Sequence, residues 1–531
     1  MKALIVNMMI LFVSSCTTMT PGSWSQSTPS IIPGTVADAW WNERVFYEIY
    51  VRSFQDSDGD GHGDLQGLIS RLDYLEELGV GALWLMPVFD AKSQHGYDAI
   101  DYKSIEKDYG TLEDFKEFLA EAHKRDIKVI LDLVLNHTSH QHPWFLEAVE
   151  NPEGHRGEYY RFSDRNLGQY WRRLEGVKPA RYFYGWFNAT MPDLDYTNPL
   201  VTQEMFDTTR YWLNDVGVDG FRLDAIKYLI EVGNITENTP ATHEWFLEFN
   251  KVVKETRPEA FLVGEAWDSL DVIASYTGGK MDVNFHFALS EQIFTAVQQE
   301  KGNGLRRVME ETLKKFPPGQ YAPFIRNHDQ QRLVRSLGGN RPKAKQAASI
   351  LLTLPGVPFV YYGEELGLTQ NRKAMQWEEL EPHWGFTKGP RVYSNGTQEK
   401  ESGLTVSYQR EQKDSVWNHF RRLIALRNQL PALRTGALNF VETGNPSVLA
   451  WVRLSKGTNV LVVHNLASKY IGEYGLDLWE DLEGLKNQYQ MVFPREEEAK
   501  GPRGGKWKPL NRLEPNTSYI WTITPDRSPD F

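Results

Sequence analysis

The fold is decided by three short stretches of the chain, GFRLDAIKY (220–228), LVGEAW (262–267) and IRNHD (325–329). Each stretch runs from apolar residues into a carboxylate, which is Asp224, Glu265 or Asp329. Carboxylates that end successive strands meet at one mouth of a parallel β/α barrel. Two carboxylates, one as nucleophile and one as acid/base, are the minimum needed to break a glycosidic bond. The sequence therefore predicts a barrel enzyme that acts on glycosides.

The rest of the chain supplies the alternation of strands and helices that such a barrel needs. Eight segments are predicted as buried strands, namely 45–51, 80–86, 128–134, 220–224, 260–265, 281–287, 322–328 and 357–363. Helical periodicity falls between them, for instance over 68–79, 112–125 and 343–354. The pattern predicts an α/β protein whose core is a (β/α)8 TIM barrel.

Three further features set the predicted domain organisation. The barrel is expected to span 38–137 and 193–431, a length that requires insertions between its units. The largest insertion, 138–192, follows the third strand and is predicted to form an excursion domain beside the site. Short alternating runs appear beyond Pro431 and predict a C-terminal antiparallel β-sandwich over 432–531.

Charge excludes one class of partner. The chain has 58 Lys and Arg against 70 Asp and Glu, a formal net charge of −12, and no block rich in basic residues. This balance disfavours binding to nucleic acid, whose phosphates attract basic surfaces. We expect a monomer whose partner is a saccharide.

The N-terminus has the pattern of a targeting segment. The apolar run ALIVNMMILFV (3–13) is short for a membrane-spanning helix, and Val13 to Cys16 resembles the lipobox of bacterial lipoprotein signals. This predicts a signal peptide over 1–15, lipid attachment at Cys16 and a tether rich in Ser, Thr and Pro over 16–37. The protein is then exported and touches the membrane only through its lipid. The alternative is an ordinary secretory signal or short anchor with an incidental cysteine.

A loop rich in Asp and Gly, QDSDGDGHGDLQG (55–67), predicts a structural calcium site. Oxygen ligands at alternate positions suit Ca²⁺. The candidate ligands are four carboxylates and one main-chain carbonyl, at Asp56, Asp58, Asp60, Asp64 and His62. The alternative is a solvated acidic turn.

Four ordered motifs resemble the conserved regions of the α-amylase family of glycoside hydrolases: DLVLNH (132–137), FRLDAIKY (221–228), GEAW (264–267) and FIRNHD (324–329). MPDLD (191–195) resembles a region of members intermediate between oligo-1,6-glucosidases and neopullulanases. Also family-like are HGYDAIDY (95–102), GVPFVYYGEE (356–365) and AMQWEELEPHWGFT (374–387). A single short motif arises by chance, whereas their joint occurrence in order is specific.

The resemblance implies a role for each carboxylate. Asp224 would be the nucleophile of a covalent glycosyl–enzyme intermediate, and Glu265 the acid/base, with its pKa raised by neighbouring negative charge. Asp329 would hold sugar hydroxyls and stabilise the transition state. Arg222 would hold Asp224 ionised and oriented. The bond would be cleaved with retention of anomeric configuration. The alternative for each carboxylate is a structural salt bridge.

The resemblance also implies a first sugar subsite. His95, His137 and His328 would bind hydroxyls and Tyr97 would stack under the ring, although isolated histidines are more often structural. Lys227 would contact the leaving group, while Tyr228 stands where α-amylases usually carry His.

The same resemblance extends to the metal sites. The loop 55–67 is similar to the calcium loop of members like the oligo-1,6-glucosidases. Asn136 is a weaker candidate ligand, for a second calcium between barrel and excursion domain.

Two residues favour α-amylase specificity. Ala225 after the nucleophile is small, which leaves room for an α-1,4 linkage, whereas relatives that prefer α-1,6 bonds often have Val. Gln94 stands where exo-acting members tend to have an Asp that blocks further subsites. We therefore expect cleavage of α-1,4 bonds in starch or maltodextrins. The alternatives are a 4-α-glucanotransferase, an exo-acting α-glucosidase or oligo-1,6-glucosidase, and a non-catalytic glycan-binding lipoprotein.

Overall fold

The computed structural model describes residues 38–380, 382–392, 403–478, 487–499 and 506–525. The predicted signal peptide, the tether and the lipidation site Cys16 lie outside these residues. Within the described ranges, no helix combines the length and the apolar character that crossing a membrane requires.

Eight parallel strands form the central sheet, which curls into a nearly closed barrel. In chain order they are β1 (Phe46–Ile49), β2 (Ala82–Leu85), β3 (Lys128–Leu133), β4 (Gly220–Leu223), β5 (Phe261–Gly264), β6 (Val283–Phe285), β7 (Tyr321–Ala322) and β8 (Phe359–Tyr361). Neighbours pair in the order β7-β6-β5-β4-β3-β2-β1-β8. The predicted TIM barrel is therefore confirmed.

Strand β7 is much shorter than the predicted segment 322–328. Pro323 follows it at once and has no N–H to donate to a neighbouring strand. Its carbonyl still accepts a hydrogen bond from the N–H of Phe359 at 2.9 Å. The chain from 324 to 329 consequently runs as a loop and carries Asp329 into the barrel mouth.

Apolar side chains fill the barrel interior. The central cluster includes Phe46, Trp84, Ile130, Phe261, Phe285 and Phe359. Phe46 stacks on Phe359 with ring centroids 4.5 Å apart. A packed interior confines any chemistry to the ends of the barrel.

Helices surround the barrel, and ten of the fourteen in the described ranges begin at a residue whose side chain accepts a hydrogen bond from the first turn. Their bounds are α1 (Leu65–Ser70), α2 (Leu72–Leu78), α3 (Leu112–Lys124), α4 (Pro143–Glu150), α5 (Pro199–Arg210), α6 (Pro240–Thr256), α7 (Leu270–Ser275), α8 (Phe287–Gln299), α9 (Asn303–Lys315), α10 (Leu333–Ser336), α11 (Arg341–Thr353), α12 (Val406–Glu411), α13 (Val416–Gln429) and α14 (Pro431–Thr435). Helix α3 begins with a capping box between Thr111 and Asp114. The predicted helix 68–79 is divided into α1 and α2 at Arg71, which leaves helical geometry.

The segment 138–192 lies between β3 and β4. It contains α4 and a small antiparallel sheet of Phe162–Ser163, Trp171–Arg173 and Tyr182–Tyr184. An isolated bridge joins His137 to Asp193, so the two ends of the segment meet where β3 leaves the barrel. A hairpin of Phe89–Ala91 and Ala99–Ile105 follows β2.

After the barrel, the chain forms an antiparallel sheet of six strands. They are β9 (Ala437–Val441), β10 (Val448–Leu454), β11 (Asn459–Asn465), β12 (Asn487–Phe493), β13 (Glu497–Ala499) and β14 (Thr517–Pro525), paired in the order β9-β10-β11-β14-β12-β13. One face, with Trp451 and Val462, joins the main core of the barrel. Segments that carry Ile471, Leu476 and Trp507 cover the other face, so this region has the predicted antiparallel architecture with two buried faces.

Buried polar groups also fasten this sheet to the barrel. On α11, Gln346 donates from Nε2 to His464 on β11 at 2.9 Å and to Ser518 on β14 at 2.8 Å. The guanidinium of Arg453, on β10, donates to the carbonyl of Thr353 at 2.7 Å. All of these side chains are buried.

Candidate active site

Asp224, Glu265 and Asp329 meet at the C-terminal mouth of the barrel. Asp224 directly follows β4 and Glu265 directly follows β5. The register of these strands pairs Leu223 with Gly264, which places the two carboxylates side by side. Asp329 arrives from the loop after β7. The three residues expected from the sequence to share one site therefore do so.

Arg222 is the centre of this site. Its guanidinium is fully buried and donates from one nitrogen to Asp132 at 2.8 Å and to Asp224 at 2.6 Å. The other terminal nitrogen donates to Glu265 at 2.6 Å. Arg222 orients Asp224, as the sequence predicts, but it also fixes Glu265 and the fully buried Asp132. Because it is fully buried, Arg222 supports the site from beneath.

Burial is the main influence on the two central carboxyls. It raises the pKa of Glu265, with Arg222 acting against it and the negative charges of Asp224 and Asp329 adding to it. Burial also raises the pKa of Asp224, and Arg222 offsets only part of that effect. The expected direction for Glu265 is correct, but desolvation is a larger cause than the neighbouring charge proposed from the sequence.

Asp329 has the opposite electrostatics. Burial acts to raise the pKa of its carboxyl, but the positive charges of His328 and Arg372 outweigh that effect and hold it below its usual range. His328 lies 3.0 Å from Asp329 and Arg372 lies 2.9 Å from it. The imidazole of His328 also contacts Glu48 at 2.6 Å. Burial alone would lower the pKa of His328, yet Asp329 and Glu48 raise it to about 10.

Tyr97 and the three predicted histidines form one wall of the site. The hydroxyl of Tyr97 donates to Asp132 at 3.0 Å and lies 2.6 Å from Nε2 of His328, on which its ring stacks. His137 is buried, which lowers its pKa to about 3, and its Nε2 contacts the carbonyl of Tyr97 at 3.1 Å. His95 accepts from the N–H of Tyr97 at 3.1 Å.

The residues that follow Asp224 form a second part of the site. Ala225 has a left-handed backbone with φ of 48°, which turns its N–H to within 3.3 Å of a Glu265 oxygen. Lys227 forms ion pairs of 2.9 Å with both Glu237 and Asp268. The ring of Tyr228 lies 4.7 Å from that of Trp186, so this departure from the usual family pattern contacts the excursion segment.

Sequence reasoning missed Glu48, Asp132 and Arg372. Glu48 and Asp132 carried a usable signal, because charged residues inside otherwise apolar strands are rarely buried without a partner. Arg372 lies in an irregular segment, and nothing in its local sequence marks it.

The aspartates of loop 55–67 gather in part. Single carboxylate oxygens of Asp56, Asp58 and Asp64 lie within 4.8 Å of one another, and this is the one such group among the residues described. Asp60 is outside that group and accepts from the N–H of His62 at 2.7 Å. Three converging carboxylates fit a hard cation such as Ca²⁺. Asn136, the weaker candidate, is buried, and its Nδ2 lies 3.5 Å from Nδ1 of His137.

Several known proteins are similar to this chain in sequence and in fold. Residues 48–436 match the catalytic domain of α-amylases. The chain is 37% identical to alpha-amylase 3 of Dictyoglomus thermophilum, over 81% of this chain and 86% of that protein. It is 35% identical to a trehalose synthase/amylase of Mycobacterium tuberculosis, over 86% and 87% of the two chains. The crystal structure of an α-amylase from H. orenii aligns with a TM-score of 0.73 and 33% sequence identity. The alignment covers 90% of this chain and 99% of the H. orenii chain. The chain therefore belongs to the α-amylase family of glycoside hydrolases.

Proposed function

We propose that this protein is a retaining α-amylase that cleaves α-1,4 bonds of starch and maltodextrins. The observation that carries the proposal is the fork of Arg222, which holds Asp224 and Glu265 against one guanidinium at 2.6 Å each. Such an arrangement favours the short separation of about 5–5.5 Å between carboxyl groups that retention requires.

In the first step, Asp224 attacks the anomeric carbon while Glu265 protonates the departing glycosidic oxygen. The carbon–oxygen bond breaks, a glycosyl ester forms on Asp224, and the shortened glucan leaves as an alcohol. Glu265, now ionised, takes a proton from water, and the resulting hydroxide equivalent releases the sugar from Asp224. The raised pKa of Glu265 favours its protonated form before the first step.

Asp329 serves a different purpose because it stays ionised. Its lowered pKa leaves a carboxylate available to accept hydrogen bonds from sugar hydroxyls and to stabilise positive charge on the distorted ring. His328 and Arg372 fix its position from two sides. Tyr97, His95 and His137 supply the remaining wall of the first subsite.

Specificity for α-1,4 bonds rests on Ala225 and Gln94. Ala225 adds only a methyl group beside the nucleophile. Gln94 is exposed and carries a neutral amide, where an Asp would close the cleft to further sugar residues. Chromatography of products from maltoheptaose tests this. A range of shorter maltooligosaccharides supports endo-hydrolysis, whereas glucose alone means exo action and products longer than maltoheptaose mean glucanotransfer.

A second candidate is intramolecular transfer to form trehalose. Similarity to a trehalose synthase/amylase supports it, as does the aromatic wall of Trp186 and Tyr228, which would retain a leaving glucose. Incubation with maltose decides between the two, because transfer yields trehalose and hydrolysis yields only glucose.

Two accessory features complete the proposal. Asp56, Asp58 and Asp64 would hold a structural Ca²⁺ that ties the loop after β1 to the start of α1. Cys16 would carry the lipid that anchors an exported enzyme. Cys16→Ser would then release the protein from the membrane fraction, and unchanged fractionation would contradict the anchor.

A further inference from the structure

Arg372 has a backbone conformation that residues other than glycine rarely adopt. Its φ is 53°, in the left-handed region, where the Cβ of an ordinary residue crowds the following carbonyl oxygen. The residue lies in the irregular segment between β8 and α12. A conformation of this kind costs free energy, and it persists only where surrounding contacts hold it in place.

The guanidinium of Arg372 lies against the loop after β7. Its Nη2 donates to Asp329 at 2.9 Å, and its Nε donates to the carbonyl of His328 at 3.1 Å. These two bonds fix the carboxylate of Asp329 together with the main chain that carries it. They also place a positive charge beside that carboxylate. A displacement of Arg372 would therefore loosen Asp329 within the barrel mouth.

Ser53 holds the main chain of Arg372. It ends the short 3-10 turn Val51–Ser53 after β1, and it is fully buried. Its Oγ donates to the carbonyl of Arg372 at 2.9 Å, and its own carbonyl accepts from the N–H of Met375 at 2.8 Å. The direction of the Arg372 carbonyl depends on ψ of that residue. The bond from Ser53 therefore resists rotation of Arg372 into the right-handed region.

The N–H of Arg372 is held as well. It donates to the hydroxyl of Tyr361, the last residue of β8, at 3.2 Å and to Oδ1 of Asn371 at 3.0 Å. Strands β8 and β1 are neighbours in the barrel, so the main chain of Arg372 is anchored to two adjacent barrel elements. Because the N–H has two acceptors, loss of Tyr361 would leave Asn371 in place. Ser53 is thus the more direct position at which to release Arg372.

We propose that Ser53 is a positioning residue for the reaction, which acts through Arg372 to hold Asp329 against the sugar ring. Without the hydroxyl of Ser53, Arg372 relaxes towards the right-handed region and its guanidinium leaves Asp329. Asp329 then fits the distorted ring less well, which weakens binding of the transition state more than binding of the substrate. The hydroxyl of Ser53 is buried and donates to a main-chain carbonyl, so it contributes through Arg372 rather than by contact with sugar. The identity of the reaction rests on the proposed function.

Ser53→Ala in the full-length protein tests the proposal. Its kcat on maltoheptaose should fall about tenfold, the factor for one lost buried hydrogen bond, while KM changes by less than about threefold. Ser349→Ala is the matched control, because Ser349 is equally buried and donates to the carbonyl of Lys345 at 3.0 Å on α11, outside the candidate active site. Both variants are assayed well below their melting temperatures. Equal kcat values for the two variants would overturn the proposal.

A double-mutant cycle separates action through Arg372 from a general effect on the fold. Arg372→Ala removes the guanidinium, so the addition of Ser53→Ala to it should change kcat by less than about twofold. Losses that multiply would mean that Ser53 acts by another route, and they would refute the proposal.

A crystal structure of Ser53→Ala gives a readout that does not depend on activity. Arg372 in the right-handed region and away from Asp329 supports the proposal, whereas an unmoved guanidinium contradicts it. Should Ser53→Ala fail to fold, Ser53→Cys fills the space with a weaker donor and goes through the same measurements. A wild-type protein that hydrolyses no α-glucan would instead refute the proposed function, and the crystal structure would still decide whether Ser53 positions Arg372.

Discussion

Nδ1 of His328 lies 2.6 Å from the carboxylate of Glu48, although 280 residues separate them in the chain. The contact spans the barrel from β1 to the loop after β7. It helps keep His328 protonated, and the protonated ring in turn keeps Asp329 ionised. A residue distant in sequence thus influences, through His328, the charge of the carboxylate that we propose contacts sugar.

The first prediction concerns stability at high pH. The pKa of His328 rises from about 6.5 in the unfolded chain to about 10 in the folded protein. The corresponding stability is fully present below about pH 6.5 and is lost as pH rises towards 10. Glu48→Gln should lessen the fall in melting temperature between pH 6.5 and 10. A fall as steep as that of wild type would contradict the linkage.

The second prediction concerns the nucleophile. Asp224→Asn keeps the shape of the side chain and one acceptor for Arg222 but cannot form the ester intermediate. We expect kcat on maltoheptaose to fall at least about 10³-fold, with an unchanged melting temperature within a few degrees. Undiminished hydrolysis by this variant would refute the mechanism.

The third prediction concerns the proton donor. Glu265 must be protonated for the first step, so kcat/KM should fall as pH rises through its raised pKa. Glu265→Gln should remove this alkaline limb on an aryl glycoside whose leaving group needs no protonation. It should also impair maltoheptaose cleavage far more than cleavage of the aryl substrate. Equal losses on both substrates would assign the proton to another group.

The fourth prediction concerns Arg222. Its removal in Arg222→Met leaves three buried carboxylates without their shared cation, a change that costs about 3–5 kcal/mol. Arg222→Lys keeps the charge but cannot reproduce the fork, so it should fold better and remain poorly active. Thermal unfolding and kcat measured on both variants separate the contribution of Arg222 to stability from its contribution to orienting the carboxylates. Full activity in Arg222→Lys would show that charge alone suffices.

The fifth prediction concerns calcium. Excess chelator should lower the melting temperature of the wild type and leave Asp58→Ala almost unaffected, because Asp58 belongs to the converging group. Asp60→Ala should still respond to chelator, since Asp60 lies outside that group. Asp60→Ala is thus the matched control, and equal insensitivity of both variants would restore Asp60 as a ligand.

The barrel and its three carboxylates follow from local sequence. A short apolar run predicts each strand, and Asp224 and Glu265 directly follow such runs. Because the strands pair in parallel, both carboxylates lie at the same mouth of the barrel. Strand β7 is short because Pro323 has no N–H to donate. The apolar pattern alone takes no account of that missing donor, so it predicts a longer strand.

The polar network beneath the site could not be predicted from local sequence in this way. Arg222 was expected to serve Asp224 alone, yet its reach to Asp132 and Glu265 depends on strands that become neighbours only in the folded sheet. Arg372 reaches Asp329 from an irregular segment, with a backbone φ of 53°. Such partners are fixed by tertiary structure, and no periodicity marks them.

The match to known catalytic domains stops at residue 436, but the hydrophobic core does not. Trp451 and Val462 belong to that core, and Gln346 on the barrel finds its buried partners on β11 and β14. A barrel expressed alone would present this apolar flank and an unsatisfied amide to water. The sequence boundary is therefore a poor place to cut the gene, and the two regions have to be cloned and produced together.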